Sequence, residues 1–339
     1  MQIVLFGLPA EYGGACRESG DVALAWRSAG IDVTVLPCNP IKPDNHWPRR
    51  LCEAGCKIEE PFLNGELPEW LKDCTVVDFQ AERAVRSWPQ LKKRGCRLVH
   101  VPCHAFVMEH EDSAFRIVPP TAVVCQSMFQ RNVLAPLYAA YGINELHRIP
   151  AAFEPKFFPF EPREYDGGNF VVGAIGRDDP SKWPARILKV LKAAKARVPK
   201  LRGRFLGWTP AVEKWSGKPP DWVQCFPPGY VTSSAFLCDT HALICMSDYA
   251  ENAPRVVLEA FSSGVPVIAD SRGGYFEQIR HGENGFLAAN EYAAVELLCE
   301  ISHDEELRIN IVNAARESLV EIAPQATIQG DWMALFASL

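Results

Sequence analysis

The first apolar run, Gln2 to Phe6, has the length and composition of a strand, and Cys16 to Ser28 follows with a helix-like pattern that stops at Gly30. A second strand-like run, Ile31 to Leu36, completes a βαβ opening. Further runs at Thr75 to Phe79, Arg97 to Val101 and Thr121 to Cys125 alternate with polar or helix-compatible stretches, which predicts a mostly parallel sheet covered by helices. Between Ile149 and Gly168, prolines at 150, 155, 159 and 162 forbid regular helix and interrupt strand pairing, so this stretch reads as a joint. The alternation then restarts: Phe170 to Ile175 strand, Ala185 to Ala196 helix, Arg204 to Leu206 strand, Ala242 to Cys245 strand, Arg255 to Phe261 helix, Val265 to Ile268 strand. The tail is apolar at helical spacing through Ile328, Trp332, Leu335 and Phe336 and predicts a last helix. The pattern predicts an α/β protein with two Rossmann-like domains, residues 1–150 and 151–326, the helix 327–339 completing the first. No period of 20 to 50 residues repeats, which removes solenoids and propellers.

Length agrees with two domains, since 339 residues exceed one ordinary core. With 48% hydrophobic and 22% charged residues the chain is neither disordered nor fibrous, and no apolar run reaches bilayer-spanning length. The start lacks a basic leader, and the expectation is a cytoplasmic protein. A net charge of −6 argues against nucleic acid as a partner. The basic stretch Arg83 to Arg97 reads as a solvated helix and turn, with docking at the inner membrane face as the sharper alternative. Twelve cysteines are scattered, many inside apolar runs, and read as buried reduced thiols. Cys52 and Cys56 near His46 lack a second pair at zinc-site distance, so packing is the better reading.

The familiar nucleotide signatures fail. The loop after the first strand has no G-x-G-x-x-G, the second strand ends Leu36-Pro37-Cys38-Asn39 without an acid, and neither a P-loop nor a G-x-S-x-G elbow occurs. There is also no D-x-D pair to hold a metal on a diphosphate, so cations of the protein would have to serve. The informative segment runs from Ser247 to Ile268 and holds Glu251 and Glu259 eight residues apart. With a helix starting near Pro254, Glu251 lies in the loop before it and Glu259 within it, and the helix start can bind an anion.

This segment resembles the E-x7-E signature of the retaining glycosyltransferases of the group 1 family (family 4), with that family's EA-x-x-x-G-x-PV run from Glu259 to Val267. The resemblance extends back to Gly176, Arg177 and Lys182, similar to the family's GR-x-x-x-x-K, and forward to Gly273-Gly274 and Gly282 to Leu287. In the first half it covers Gly13-Gly14 before the first helix and Gln126-Ser127, and is weaker. Asn252, Ala253 and Pro254 depart from the family's usual glycine and aromatic pattern.

The resemblance implies a GT-B fold, two Rossmann-like domains facing a central cleft that closes about the Pro150 to Pro162 joint. It implies transfer of a hexosyl unit from a UDP- or GDP-sugar to a hydroxyl of a sugar, lipid-linked or small-molecule acceptor. It further implies that Glu259 holds the ribose, that Glu251 faces the donor sugar, and that Ala253, Pro254, Arg255 and Val256 line sugar and diphosphate. Arg177 and Lys182 correspond to the family's cations on the diphosphate, Gly13 and Gly14 to its donor-side glycines, and His104 to its histidine near the donor sugar, with Ala105 in place of the usual acid. Tyr230 lies in the stretch where main chain would meet the base. No metal or other cofactor is expected. Each residue also has a plainer reading: Arg177 and Lys182 as surface charges, Glu259 as an exposed helical acid, Gly13 and Gly14 as turn formers, His104 and His100 as structural histidines. A sugar-nucleotide 2-epimerase and a non-catalytic nucleotide-binding relative are the alternatives.

Overall fold

The computed structural model describes residues 2–10, 13–63 and 65–339, without the side chains of residues 15 and 16. The chain forms two compact units, one from residues up to Phe153 together with Ala323–Leu339, the other Glu154–Ile322. In the first, seven strands pair in parallel: β1 Gln2–Phe6, β2 Asp32–Leu36, β3 Lys57–Ile58, β4 Thr75–Asp78, β5 Arg97–His100, β6 Ala122–Cys125 and β7 Leu146–Arg148, in the order β3-β2-β1-β4-β5-β6-β7. In the second, β8 Phe170–Ile175, β9 Leu201–Leu206, β10 Val223–Phe226, β11 Ala242–Cys245, β12 Val267–Asp270 and β13 Phe286–Ala288 pair in parallel in the order β10-β9-β8-β11-β12-β13.

Central strands are apolar throughout because helices cover both faces of such sheets. Ile3, Val4, Leu5 and Phe6 are all buried: Val4 and Phe6 belong to the core on one face, Ile3 and Leu5 to the core on the other. The helix Arg186–Arg197 buries Ile187, Leu188, Val190, Leu191 and Ala194, the three-and-four spacing that turns one stripe inward. The last helix, Gln325–Ser338, packs on the first, Gly14–Ser28: Trp26 meets Trp332 and Phe336 edge-on at 5.0 and 5.3 Å, and Gln329 donates to Ser28 Oγ at 2.8 Å.

Three expectations need correction. The proline-rich joint is not a bare linker from Glu154 onward. Ser262 Oγ donates to the carbonyls of Pro155 and Phe158 at 3.2 and 3.0 Å, Phe158 is buried, and a side chain at Gly264 (φ +81°) would strike Pro162. Extended, ring-stiffened chain has no ladder of its own to satisfy its carbonyls, so it borrows the end of the helix Arg255–Ser263. The basic stretch is two short helices, Glu82–Arg86 and Trp88–Lys93, leading into β5, and Arg94 spends its guanidinium on the Pro68 carbonyl at 2.5 Å. The thiols are not uniformly buried: Cys52 and Cys225 are exposed, and among the described residues no cysteine is in a disulfide. No helix among the described residues is long and apolar enough to cross a membrane.

Candidate functional site

In an open parallel sheet, ligands collect where the strand order reverses, at the carboxyl ends of the strands. In the second unit this point lies between β8 and β11. The loop after β8 is folded tightly on itself: Asp179 accepts from the Ser181 N–H at 3.0 Å and from its hydroxyl at 2.7 Å, opening a single turn over Pro180–Lys182. Trp183 Nε1 donates to the Arg177 carbonyl at 2.7 Å. Gly207 (φ +104°) lets the neighbouring strand end approach, since a Cβ there would lie 1.8 Å from the Gly176 carbonyl oxygen. The loop after β11 is tied to this one by the Asp248 N–H, which donates to the Ser181 carbonyl at 2.8 Å.

These two loops bring Lys182 and Glu251 into a hydrogen-bonded ion pair, 69 residues apart in sequence. Both side chains are largely buried, and the Lys182 ammonium also lies 4.8 Å from the centre of the Tyr249 ring. Burial by itself would lower the lysine pKa, but Glu251 and Tyr249 outweigh it and raise it, so the ammonium is charged at neutral pH. Arg177 stands on the same loop, 49% exposed, 3.8 Å from Asp179. The Asp179 carboxyl sits below its ordinary range despite burial, because of the Ser181 hydrogen bonds and the cations Arg177 and Lys182.

Glu251 is held from behind by glycines. The Gly274 N–H donates to the Glu251 carbonyl at 2.7 Å, and a Cβ on Gly274 would stand 1.7 Å from the Asn252 carbonyl oxygen. Gly273 takes φ +62°, a region side chains avoid, and a Cβ there would crowd Glu251 at 2.7 Å. The near end of the loop is clamped by Arg186, which grips both oxygens of Asp270 at 2.8 Å and the Ser247 carbonyl at 2.6 Å. Arg272 joins the same carboxylate at 3.0 Å and the same carbonyl.

The helix Arg255–Ser263 starts directly after this loop, with Pro254 as N-cap, no side chain capping it and no acid in its first turn. Its first N–H groups and the positive end of its dipole point out of the helix start, the arrangement that suits an anion. Ala253 and Val256 are half-buried, Pro254 and Arg255 buried. Glu259 is 7% exposed, so it is not a solvated helical acid. Tyr230 is not brought to this cluster: it follows the edge strand β10, two strands from β8, 65% exposed and stacked on Phe226 at 5.1 Å.

The remaining expected residues lie in the first unit. Gly13 has φ +111° and is the N-cap of the helix Gly14–Ser28, whose first turn also lacks an acid. His104 follows β5, half-buried, with Nδ1 2.7 Å from Gln80 Oε1 and its ring 5.0 Å from Phe106. His100 is fully buried between two acids, Nδ1 3.0 Å from Asp78 and Nε2 2.6 Å from Glu111. Burial would lower its pKa, but the two carboxylates lift it to about 10, so it is an imidazolium locked into the core. The sequence reading passed over Asp78, Gln80, Glu111, Tyr249, Arg186, Asp270 and Arg272. The available signal was position: Asp78 and Asp270 are the last residues of buried strands, where an acid needs a partner.

Residues 157–318 match the model of the family described as Glycosyl transferases group 1. Over 87 residues the chain is 36% identical to an N-acetyl-alpha-D-glucosaminyl L-malate synthase of Bacillus anthracis, a match covering 23% of this chain and 23% of that relative. Whole-chain likeness is found to solved structures. Anabaena Alr3699/HepE in complex with UDP-glucose has TM-score 0.77 at 17% identity, covering 100% of both chains. A mutant of S. aureus TarM in complex with Fondaparinux, alpha-GlcNAc-glycerol and UDP has TM-score 0.76 at 12% identity, covering 99% of both. The chain therefore has the GT-B fold, and most of its second unit carries the sequence pattern of the group 1 glycosyl transferases.

Proposed function

We propose that the chain is a glycosyltransferase that moves a hexosyl unit from a nucleoside-diphosphate sugar to a hydroxyl of a sugar, lipid-linked or small-molecule acceptor, with retention and without a metal ion. The observation that carries this reading is the buried Lys182–Glu251 pair beside the uncapped start of the helix Arg255–Ser263. As the glycosidic bond breaks, charge builds on the departing diphosphate, and a fixed ammonium and helix dipole favour the transition state over the ground state. Lys182 is held charged for that task, and Arg177 is close enough in the chain to reach a second phosphate. Glu251, paired with Lys182 while the donor is absent, would accept hydroxyls of the donor sugar, and Glu259 those of the ribose. Ala253, Pro254, Arg255 and Val256 would lie along sugar and diphosphate, and Gly13, Gly14 and His104 would serve the donor from the first unit. UDP and UDP-glucose in similar structures support uridine as the base ahead of guanosine.

The test is a panel of UDP- and GDP-sugars offered to the full chain with acceptor sugars, reading nucleoside diphosphate release and the anomeric proton of the product by NMR. Transfer with the donor's own anomeric configuration supports the proposal. An inverted product refutes retention, epimer formation without acceptor points to an epimerase, and thermal stabilisation by nucleotides with no turnover at all points to a binding protein.

A further inference from the structure

We propose that Gln80 is a positioning residue that fixes His104 as its Nδ1–H tautomer, so that Nε2 meets substrate as a hydrogen-bond acceptor. The inference rests on the reading of His104 as a contact to the donor sugar. The argument starts in the core. Both ring nitrogens of His100 face carboxylate oxygens, Asp78 Oδ1 and Glu111 Oε1, and a ring with two acceptors must donate twice. That imidazolium keeps Glu111 ionised, so Glu111 Oε2 can only accept. It accepts the Met108 N–H at 2.6 Å and Gln80 Nε2 at 2.9 Å.

The Gln80 amide is thereby oriented from one side, and the other side agrees: the Cys103 N–H, a donor only, points at Oε1 at 2.9 Å. A flipped amide would set NH2 against N–H and carbonyl against carboxylate. With Oε1 an acceptor, His104 Nδ1, 2.7 Å away, must carry the proton. In the neutral ring the lone pair then sits on Nε2, which takes a hydrogen bond from a sugar hydroxyl and repels a carboxylate. The His104 carbonyl is pinned as well, by Gln130 Nε2 at 3.1 Å, so backbone and ring are fixed together. Gln80 itself adopts φ +53°, a left-handed conformation that a side chain holds only when its surroundings demand it.

The experiment is 15N NMR of the labelled full chain near pH 8, where unpaired imidazoles are neutral, with His104 assigned by the signals lost in His104→Gln. A protonated, pyrrole-type Nδ1 and a pyridine-type Nε2 are expected; a pyridine-type Nδ1 overturns the proposal. Gln80→Met keeps the volume and removes both polar ends. It should spread His104 over both tautomers and raise the donor KM about 3- to 10-fold, with kcat within about twofold. A folded Gln80→Met chain that keeps the single tautomer overturns it, and should that variant not fold, the wild-type spectrum decides alone. Wild-type donor KM in His104→Ala removes the sugar contact on which the inference rests, and the inference with it.

Discussion

Gly274→Ala isolates how much the site depends on one backbone approach. The residue has φ −67°, where alanine is at ease, so no conformational strain enters. The added methyl, however, would stand 1.7 Å from the Asn252 carbonyl oxygen and 2.5 Å from its carbon, and backbone cannot swing away as a long side chain does. Reaching even the 3.0 Å that real Cβ atoms tolerate requires the two loops to part by more than an ångström. The same movement stretches the Gly274 N–H bond to the Glu251 carbonyl, now 2.7 Å, and carries Glu251 and its partner Lys182 with it. A misplacement of about 1 Å at a reacting group costs on the order of 100-fold in rate, so kcat/KM for the donor should fall by about that factor. Overpacking should cost a further ~1–3 kcal/mol of stability. Gly282→Ala is the control: φ is +78°, nothing lies within 4 Å of the new Cβ, and the expected cost is ~1–2 kcal/mol of strain with little kinetic change. Steady-state kinetics and urea melts of both variants decide the matter. A folded Gly274→Ala enzyme with donor kcat/KM within about threefold of wild type would refute the claim that these glycines set the Glu251 loop.

Lys182→Ala and Arg177→Ala should lower turnover by roughly 10- to 1,000-fold, and Glu259→Ala should raise the donor Kd by about 10- to 100-fold, read by single-turnover kinetics and calorimetry. Activity should persist in excess EDTA; its abolition with rescue by manganese would contradict cation-only stabilisation by Lys182 and Arg177. His100→Gln leaves Asp78 and Glu111 buried without their cation and should destabilise by ~3–5 kcal/mol at pH 7. Because the His100 pKa is raised to about 10, its contribution is complete below the unfolded value near 6.5 and is lost as pH climbs toward 10. The gap between wild type and His100→Gln in urea melts should therefore narrow from pH 7 to pH 10, and an unchanging gap would show the ring to be neutral.

The sequence by itself determined the α/β class and the central strands, because a strand covered on both faces must be apolar along its whole length. Phe170–Ile175 and Ala242–Cys245 are of this kind. It did not disclose Lys57–Ile58, Leu146–Arg148, Val223–Phe226 or Phe286–Ala288, and these four are the edges of the two sheets. An edge strand has a neighbour on one side only and tolerates polar residues, so its pattern fades. The spacing of Glu251 and Glu259 was legible because a loop and the helix that follows it are local. The pairing of Lys182 with Glu251 was not, since it exists only because β8 and β11 lie side by side in the sheet. The same holds for the chain of contacts from Asp78 through His100, Glu111 and Gln80 to His104. Which buried acid meets which buried cation is settled by strand order and packing, and strand order is a property of the whole sheet that no local stretch of sequence contains.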